Sequence, residues 1–319
     1  MPPSMDNARI LVIGAGVNGS ICAAGLCNAG INVSVLARGK RYEELRTDGI
    51  IIENLLQHKR SITKVPVIAS LAPEDVYDYV LVIIRRNQVP DLLPVLARNR
   101  SPNVVFMLNN ASGPDEYTAI GKERVMMGFV FGAGKVEGGV VYAITAVGGL
   151  LGAIIGGVPF GEIDGTTTPR LTRLVRILCQ AGLNAKVCPG ISDYLARHAA
   201  GVAIFVLLLD KHHGDRRALA RSTSDLELCM DAMRELLEVL LALGHRIVPP
   251  KFSAIKFIPR WILVAAFRAF LNSDMADVAA LWHYSHAPDE MLQLVNEFKI
   301  LVKKSGLPVP AIRKLLGPD

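Results

Sequence analysis

The sequence predicts an α/β protein, with a doubly wound parallel sheet first and an all-α domain completing the chain. Short apolar runs alternate with helix-like segments up to about residue 130, which is typical of a parallel sheet with helices on both faces. From residue 191 onward, long helical stretches follow one another without a strand pattern. A chain of 319 residues is long enough for about two domains. We expect these to be residues 1–189 and 190–319.

The first apolar run ends in a glycine-rich turn with the spacing Gly14-x-Gly16-x-x-Gly19, and a helix of small residues follows. Gly14 permits the tight turn, Gly16 lets the backbone approach a pyrophosphate, and Gly19 lets the helix pack closely on the strand. The helix N-terminus offers N–H groups and a positive dipole end to phosphates. This context predicts a Rossmann-type dinucleotide-binding domain, although a glycine turn without a ligand is the alternative. The cofactor-binding residues predicted here are Gly14, Gly16, Val17, Asn18 and Gly19.

The end of the second strand, residues 32–37, indicates which dinucleotide is bound. In NAD-selective domains an Asp or Glu at this place binds the ribose 2′-hydroxyl. Here Arg38 follows, with Lys40 and Arg41 close behind and no carboxylate before Glu43. Because a guanidinium can bind a 2′-phosphate through paired charged hydrogen bonds, the sequence predicts NADP(H), with Arg38 as a ligand. An exposed polar turn would carry the same charges and is the alternative.

Polar residues also follow two later strands of this domain. Ligands of open α/β sheets bind outside the carboxyl ends of the strands, so we expect Arg85, Gln88 and Asn109 to contact the cofactor. A solvated loop at Arg85 and Arg86 is the alternative. The further strands predicted are 50–53 and 61–67, which form a small hairpin, and the buried runs 79–84, 104–108 and 125–130.

One uncharged segment, residues 139–160, is as long as a membrane helix. Its glycine pairs are more typical of strands joined by turns, so we expect no membrane span and treat 128–165 as irregular sheet. Residues 211–215 are expected to be a polar inter-helix loop. The predicted helices are 89–97, 170–181, 193–209, 224–243, 261–271 and 288–304.

The composition limits the classes of ligand and partner that the protein is expected to bind. The formal net charge is +6, from 35 Lys and Arg against 29 Asp and Glu, with no long basic run. This balance favours anionic small ligands over a nucleic-acid surface. Five cysteines without a CxxC pair, and no signal peptide, predict reduced thiols in a cytoplasmic protein. His283 and His286 could share a helix face, but no third ligand is evident, so no metal site is predicted.

These motifs together resemble the ketopantoate reductase (2-dehydropantoate 2-reductase) family. The resemblance rests on the glycine turn, the Arg38-Gly step, Asp48-Gly49-Ile50, Gln88 after a basic residue, Leu108-Asn109 and the helical second half. It implies an NADPH-binding Rossmann domain and a helical substrate domain. It further implies hydride transfer to a 2-keto acid in the cleft between them, as in pantothenate biosynthesis. The apolar helical domain would also support a homodimer.

The helix that opens the second domain departs from the family. The family's general acid is a lysine in a Trp-x-Lys-Leu-x-x-Asn stretch, and here Ala196 and Ala200 take the lysine and asparagine positions. A reductase needs a proton donor near the carbonyl oxygen. His198 has a suitable intrinsic pKa of about 6.5, and Arg197 could stabilise an alkoxide or bind a carboxylate. A structural helix histidine is the alternative to a catalytic His198.

In the family a serine and a glutamate of the C-terminal helices help to hold the substrate. The matching candidates here are Glu290 with Ser273 or Ser285, and His286 is a weaker one. Asp289 is better explained as an acid at a helix start. The resemblance therefore implies His198, Arg197 and Glu290 as the catalytic set of a 2-keto acid reductase. The missing lysine leaves a second interpretation, an NADP(H)-binding protein that acts as a sensor or scaffold.

Overall fold

The structure of the protein, a computed structural model, describes residues 7–130, 132–145, 157–277, 281, 284–285 and 287–317. The chain divides into two compact units. The first comprises Met1–Leu108 and Pro114–Ile191, and the second comprises Asn109–Gly113 and Ser192–Asp319. The division therefore falls two residues beyond the predicted boundary. It also assigns the short segment 109–113, which the sequence placed in the first domain, to the second unit.

The first unit is built on an eight-stranded sheet with the order β12-β11-β8-β7-β6-β1-β2-β5. The strands from β5 to β8 run parallel, in the 3-2-1-4-5-6 order of dinucleotide-binding folds. Strand β11 is antiparallel to β8 and parallel to β12. The predicted fold class is confirmed. The strands of this sheet are β1 (Arg9–Ile13), β2 (Asn32–Leu36), β5 (Val67–Ile68), β6 (Tyr79–Val82), β7 (Val104–Met107), β8 (Val125–Gly128), β11 (Val158–Glu162) and β12 (Ala185–Val187).

Both faces of the main sheet are covered, because β6, β7 and β8 are buried at every residue. On one face, Val105 and Met107 belong to the apolar cluster that includes the first and fourth helices. On the other face, Phe106 stacks on Tyr117 with ring centroids 4.0 Å apart. Strands buried on both sides explain the near-continuous apolar runs in the sequence. The helices of this unit are α1 (Val17–Asn28), α2 (Gly39–Thr47), α3 (Val89–Arg98) and α4 (Pro169–Gln180).

A second, four-stranded sheet has the order β4-β3-β10-β9, with strands β3 (Ile50–Asn54), β4 (Lys59–Thr63), β9 (Gly132–Glu137) and β10 (Val140–Thr145). Helix α1 packs against this sheet as well as the first, so its small residues are buried on all sides. The hairpin of β3 and β4 matches the prediction. The predicted strand 61–67 is wrong as one strand: it splits into β4 and β5, and β5 joins the main sheet beside β2. Residues 146–156 of the former membrane candidate lie outside the described residues.

The second unit is helical, and its described residues contain no strand. Helix α5 is, among the described helices, the one long and apolar enough to cross a membrane by length and composition. More than half of its apolar window is buried inside the protein. The helices are α5 (Ile191–Lys211), α6 (Arg216–Arg221), α7 (Thr223–Ala242), α8 (Arg260–Leu271), α9 (Pro288–Ser305) and α10 (Pro310–Leu316).

The polar loop after α5 is tied to α7 by the buried carboxylate of Asp225. His212 Nε2 lies 2.9 Å from Asp225 Oδ2, Ser222 Oγ donates to the same oxygen at 2.8 Å, and Lys211 donates to Oδ1. Burial alone would raise the pKa of Asp225, but these hydrogen bonds outweigh burial and lower it from 3.8 to about 2. The loop therefore joins two helices through a charged network.

We predict that Asp225 contributes stability that disappears in acid. Because its pKa in the folded protein lies below the unfolded value, the contribution is complete above about pH 4 and is lost as the pH falls toward 2. Asp225→Asn should lower the free energy of unfolding by about 1–2 kcal/mol near neutral pH. In denaturant titrations, the difference from wild type should shrink between pH 4 and pH 2.

Asp215→Asn is the matched control. Asp215 is an exposed N-cap of α6, and asparagine caps equally well, so stability should stay close to that of wild type. A wild-type minus Asp225→Asn difference that stays constant down to pH 2 would contradict the prediction.

Candidate cofactor and substrate sites

Two of the three motif glycines are required by the chain itself. Gly14 has a φ of +105°, and a Cβ there would lie 2.2 Å from the carbonyl oxygen of Ile83. A Cβ on Gly19 would lie 1.8 Å from the carbonyl oxygen of Gly14. No side chain fits at either place, so these glycines are needed for β1, β6 and α1 to meet.

Gly16 is different, because no described part of the chain requires a glycine there. It is the N-cap of α1 with a φ of −74°, and a Cβ would meet no atom within 4 Å. Among the described residues no side chain caps this helix, and its first turn has no acidic residue. A bare backbone at a positive helix end suits a phosphate that must approach closely. The residues present therefore fit a dinucleotide.

The predicted Val17 and Asn18 form the first turn of α1. Val17 packs against the apolar core. The side-chain oxygen of Asn18 accepts a hydrogen bond from the Gly132 N–H at 2.8 Å, which ties α1 to the second sheet. Both residues lie in the first helical turn, so their backbone N–H groups are at the positive helix end that suits a phosphate.

The basic residues after β2 separate into two kinds. Arg38, the N-cap of α2, is exposed and makes no ion pair or side-chain hydrogen bond with the described residues. The guanidinium of Arg41 is instead bound within the protein. It donates hydrogen bonds to the Ala15 carbonyl at 3.0 Å, to Ser20 Oγ at 3.3 Å and to the Gly139 carbonyl at 2.8 Å. Arg41 thus braces the glycine turn from α2, a role that the sequence analysis missed. Arg41 lies three residues after Arg38 and so on the same side of α2, which could have indicated that it also lies near the glycine turn.

The two arginines after β6 separate in the same way. Arg85 and Gln88 are exposed, and Gln88 Oε1 accepts from the Arg85 N–H at 3.3 Å across a short 3₁₀ turn. Arg86 is buried and pairs with both carboxylate oxygens of Glu116, at 2.6 and 2.8 Å. The solvated-loop interpretation is therefore wrong for Arg86, because its guanidinium holds the loop from inside.

Asn109 belongs to the second unit, where α9 holds its segment. Its Nδ2 donates to Glu290 Oε1 at 3.4 Å, and the Ala111 N–H donates to Glu297 Oε2 at 3.0 Å. Both glutamates are buried, and their spacing of seven places them on one face of α9. Asn109 Oδ1 is buried without a hydrogen-bond partner among the described residues. Glu297 was not among the predicted site residues, although its spacing of seven from Glu290 could have indicated it.

Asp289 is exposed in the first turn of α9, as expected for a helix start. The two candidate serines are satisfied locally: Ser273 Oγ donates to the Phe270 carbonyl at 2.6 Å, and Ser285 Oγ to the Leu281 carbonyl at 2.9 Å. His283 and His286 lie outside the described residues. Within the described ranges, no group of three His, Cys, Asp or Glu side chains could hold a metal ion.

The first half of α5 carries the remaining candidates. Ala196 and Ala200 are buried in the apolar core of the second unit, so they offer no polar group at the two positions where the resemblance implies a lysine and an asparagine. His198 is half-buried, and its ring is nearly parallel to that of Tyr194, 6.2 Å away. Arg197 is buried. The cationic and titratable groups of this helix therefore lie one and two residues after the lysine position.

Residues 10–153 match the family model of ketopantoate reductase PanE/ApbA. No curated protein matches the chain in sequence. A structure from Ralstonia solanacearum MolK2, assigned as a ketopantoate reductase, has 21% identity and a TM-score of 0.75, with coverage of 98% of this chain and 96% of that one. The 2-dehydropantoate 2-reductase of Geobacter metallireducens GS-15 has 18% identity and a TM-score of 0.75, with coverage of 96% and 97%. D-mandelate dehydrogenase with NADH and anilino(oxo)acetate has 16% identity and a TM-score of 0.72, with coverage of 96% and 95%.

The glycine geometry predicts opposite effects for two alanine substitutions. Gly19→Ala places a methyl group 1.8 Å from a backbone oxygen, so it should lower the free energy of unfolding by about 3 kcal/mol or more. Gly16→Ala meets no atom, and the poorer N-cap that alanine makes should lower the free energy of unfolding by only about 1 kcal/mol or less. Only the second variant separates ligand binding from folding.

In a fluorescence titration with NADPH, Gly16→Ala should lose most of its affinity, because the new methyl group occupies the approach path of the pyrophosphate. Wild-type affinity in a folded Gly16→Ala protein would contradict this assignment.

Proposed function

We propose, on the premise that residues 10–153 belong to the ketopantoate reductase PanE/ApbA family, that this protein is an NADP(H)-dependent reductase of a 2-keto acid. The observation that carries the proposal is the bare backbone at Gly16, where the chain itself needs no glycine. Dehydropantoate is a 2-oxo acid and mandelate a 2-hydroxy acid, so the neighbouring structures are named for the two sides of one reaction type.

The proposed cofactor contacts come from the first unit. Backbone N–H groups at the start of α1 hold the pyrophosphate, and Arg38 pairs with the 2′-phosphate. Arg85 and Gln88 lie beyond the carboxyl end of β6 and complete the set. Bound NADPH supplies a hydride. The mandelate dehydrogenase structure holds NADH, so the choice between the two cofactors rests on this chain's own Arg38.

The proposed substrate contacts come from the second unit. Reduction of a carbonyl requires a proton at its oxygen, and we assign that proton to the His198 imidazole. Glu290 accepts a hydrogen bond from Asn109 Nδ2 and so positions the amide. The buried Asn109 Oδ1 then suits a hydroxyl or amide N–H of the substrate or cofactor. The proposed substrate is a 2-keto acid as a class, and dehydropantoate is one candidate within it.

A second candidate function is a sensor or scaffold that binds NADP(H) without turnover. The observation that favours it is the burial of Ala196 and Ala200 in the core, which removes the polar groups of the family's proton donor helix. We further propose a cytoplasmic protein with a small-molecule substrate, a homodimer through the helical unit, and neither nucleic acid nor membrane as partner. The five cysteines are free thiols.

The first test is turnover. Purified protein should oxidise NADPH, followed at 340 nm, in the presence of a 2-keto acid such as 2-dehydropantoate or phenylglyoxylate. Arg38→Gln should raise the Kd for NADPH about 10- to 100-fold and leave the Kd for NADH within about twofold, because only NADPH carries the 2′-phosphate.

Arg46→Gln is the control, since Arg46 is an exposed arginine at the other end of α2. Equal losses of NADPH and NADH affinity in Arg38→Gln would contradict the assignment. NADPH binding without turnover of any 2-keto acid would support the sensor or scaffold instead.

His198→Gln should reduce kcat about 100-fold or more without changing the Kd for NADPH, because glutamine cannot supply the proton. His58→Asn, at an exposed histidine in the β3–β4 turn, controls for the loss of an imidazole. Unchanged kcat in a folded His198→Gln protein would exclude His198 as the donor.

A further inference from the structure

Arg197 differs from the other buried arginines of this protein. The described structure buries three arginines, with Arg86 3%, Arg197 5% and Arg216 6% exposed. Arg86 pairs with both oxygens of Glu116, and Arg216 pairs with both oxygens of Asp277 at 2.6 and 2.7 Å. Arg197 makes no ion pair with any described carboxylate. A buried charge without a counter-charge is costly, so its retention calls for a reason.

The guanidinium of Arg197 is nevertheless held firmly in place. Its Nε donates to the Val248 carbonyl at 2.7 Å, and its Cζ lies 3.8 Å from the ring centroid of Phe252 and 5.4 Å from that of Tyr194. The terminal nitrogens Nη1 and Nη2 have no acceptor among the described residues. By contrast, the three nitrogens of the Arg124 guanidinium all donate to backbone carbonyls. The guanidinium of Arg197 is therefore fixed through Nε, while Nη1 and Nη2 have no hydrogen-bond acceptor among the described residues.

Nearby acids do not compensate for this charge. Asp193, one turn earlier on α5, is engaged by His245 Nδ1 and by Arg246 Nε, each at 3.0 Å. Burial lowers the pKa of Arg197, although such a guanidinium stays protonated. The two terminal N–H₂ groups of a planar guanidinium match a planar carboxylate, which they bind through two parallel hydrogen bonds. An external carboxylate is the ligand that this geometry fits.

We infer that Arg197 is the anchor for the carboxylate of the substrate, and that Phe252 and the Val248 carbonyl are its positioning groups. The inference rests on the proposed function for the identity of the anion, a 2-keto acid. It also gives two residues of α5 different roles: Arg197 holds the carboxylate, and His198, the next residue, is the proposed proton donor. Arg197 Cζ lies 5.4 Å from the ring centroid of Tyr194, and the His198 ring lies 6.2 Å from the same ring, so both groups border one side chain. The carboxylate and carbonyl carbons of a 2-keto acid are bonded to each other, so they suit two groups that share a neighbour.

The test measures binding and turnover separately. Binding of oxamate, a non-reducible 2-keto acid analogue, is measured by calorimetry on protein saturated with NADPH. Arg197→Gln should weaken oxamate binding about 100-fold and leave NADPH binding unchanged, since it removes a bidentate charged contact. In turnover, the variant should lose kcat/KM for a 2-keto acid and lose little for the corresponding primary amide, which carries no carboxylate.

The positioning groups are tested by a matched pair. Phe252→Leu keeps an apolar side chain but removes the ring face, and should raise KM for the keto acid about 5- to 10-fold with little change in kcat. Phe252→Tyr keeps the ring and should behave like wild type. Lys251→Gln removes an exposed cation next to Phe252 and should leave oxamate binding unchanged.

The outcomes distinguish this inference from the proposed function. Turnover that does not depend on Arg197, or equal losses for acid and amide, would overturn the anchor while the reductase stands. Arg197-dependent oxamate binding without turnover would support the anchor and overturn the reductase. If Arg197→Gln fails to fold, Phe252→Leu decides: unchanged KM in that variant overturns the positioning role and with it the inference.

Discussion

The contact between the glycine turn and helix α1 is the constraint on which the first unit depends. The Gly14 carbonyl oxygen lies where a side chain on residue 19 would be, so β1 and α1 meet only through bare backbone. This approach sets the start of α1 at the carboxyl edge of the sheet. Arg41 then fixes the turn from α2 by donating to the Ala15 carbonyl, and Asn18 links α1 to the second sheet through Gly132. The proposed phosphate site at Gly16 depends on these supports, since each of them leaves that residue uncovered.

The main sheet could be predicted because the sequence signal for each of its strands lies within that strand. Strands buried on both faces must be apolar throughout, and β6 and β7 show that pattern directly. In the second sheet the β3–β4 hairpin could be predicted, but strand β9 could not, because it is glycine-rich and only half-buried. The pairing of β10 with β3 joins strands almost ninety residues apart, and no local pattern carries that information. Strand β5 has two residues and is defined by its partner β2 alone.

The sequence could predict which residues lie near the candidate site, but it could not predict which of them bind a ligand and which hold the fold together. Arg38 and Arg41 have the same side chain three residues apart, yet one is exposed and the other braces the turn. The same holds for Arg85 and the buried Arg86. Composition cannot separate such pairs, because the difference lies in which carbonyl or carboxylate the fold brings within reach. Segment 109–113 makes the same point: its sequence follows β7, yet Asn109 and Ala111 donate hydrogen bonds to α9.

In the proposed reductase, helix α5 provides on two residues the two functions that one lysine can combine. A lysine ammonium can attract an anion and can also release a proton, because its pKa shifts when it is buried. Arginine keeps its charge under the same conditions, so it can hold a carboxylate and cannot act as the proton donor. Histidine loses and gains a proton near neutral pH, so it can donate but is a weaker permanent anchor. With Ala196 packed into the core, the adjacent Arg197 and His198 provide these two properties separately. The proposed reductase therefore has, without a lysine at position 196, both kinds of group that reduction of a 2-keto acid requires.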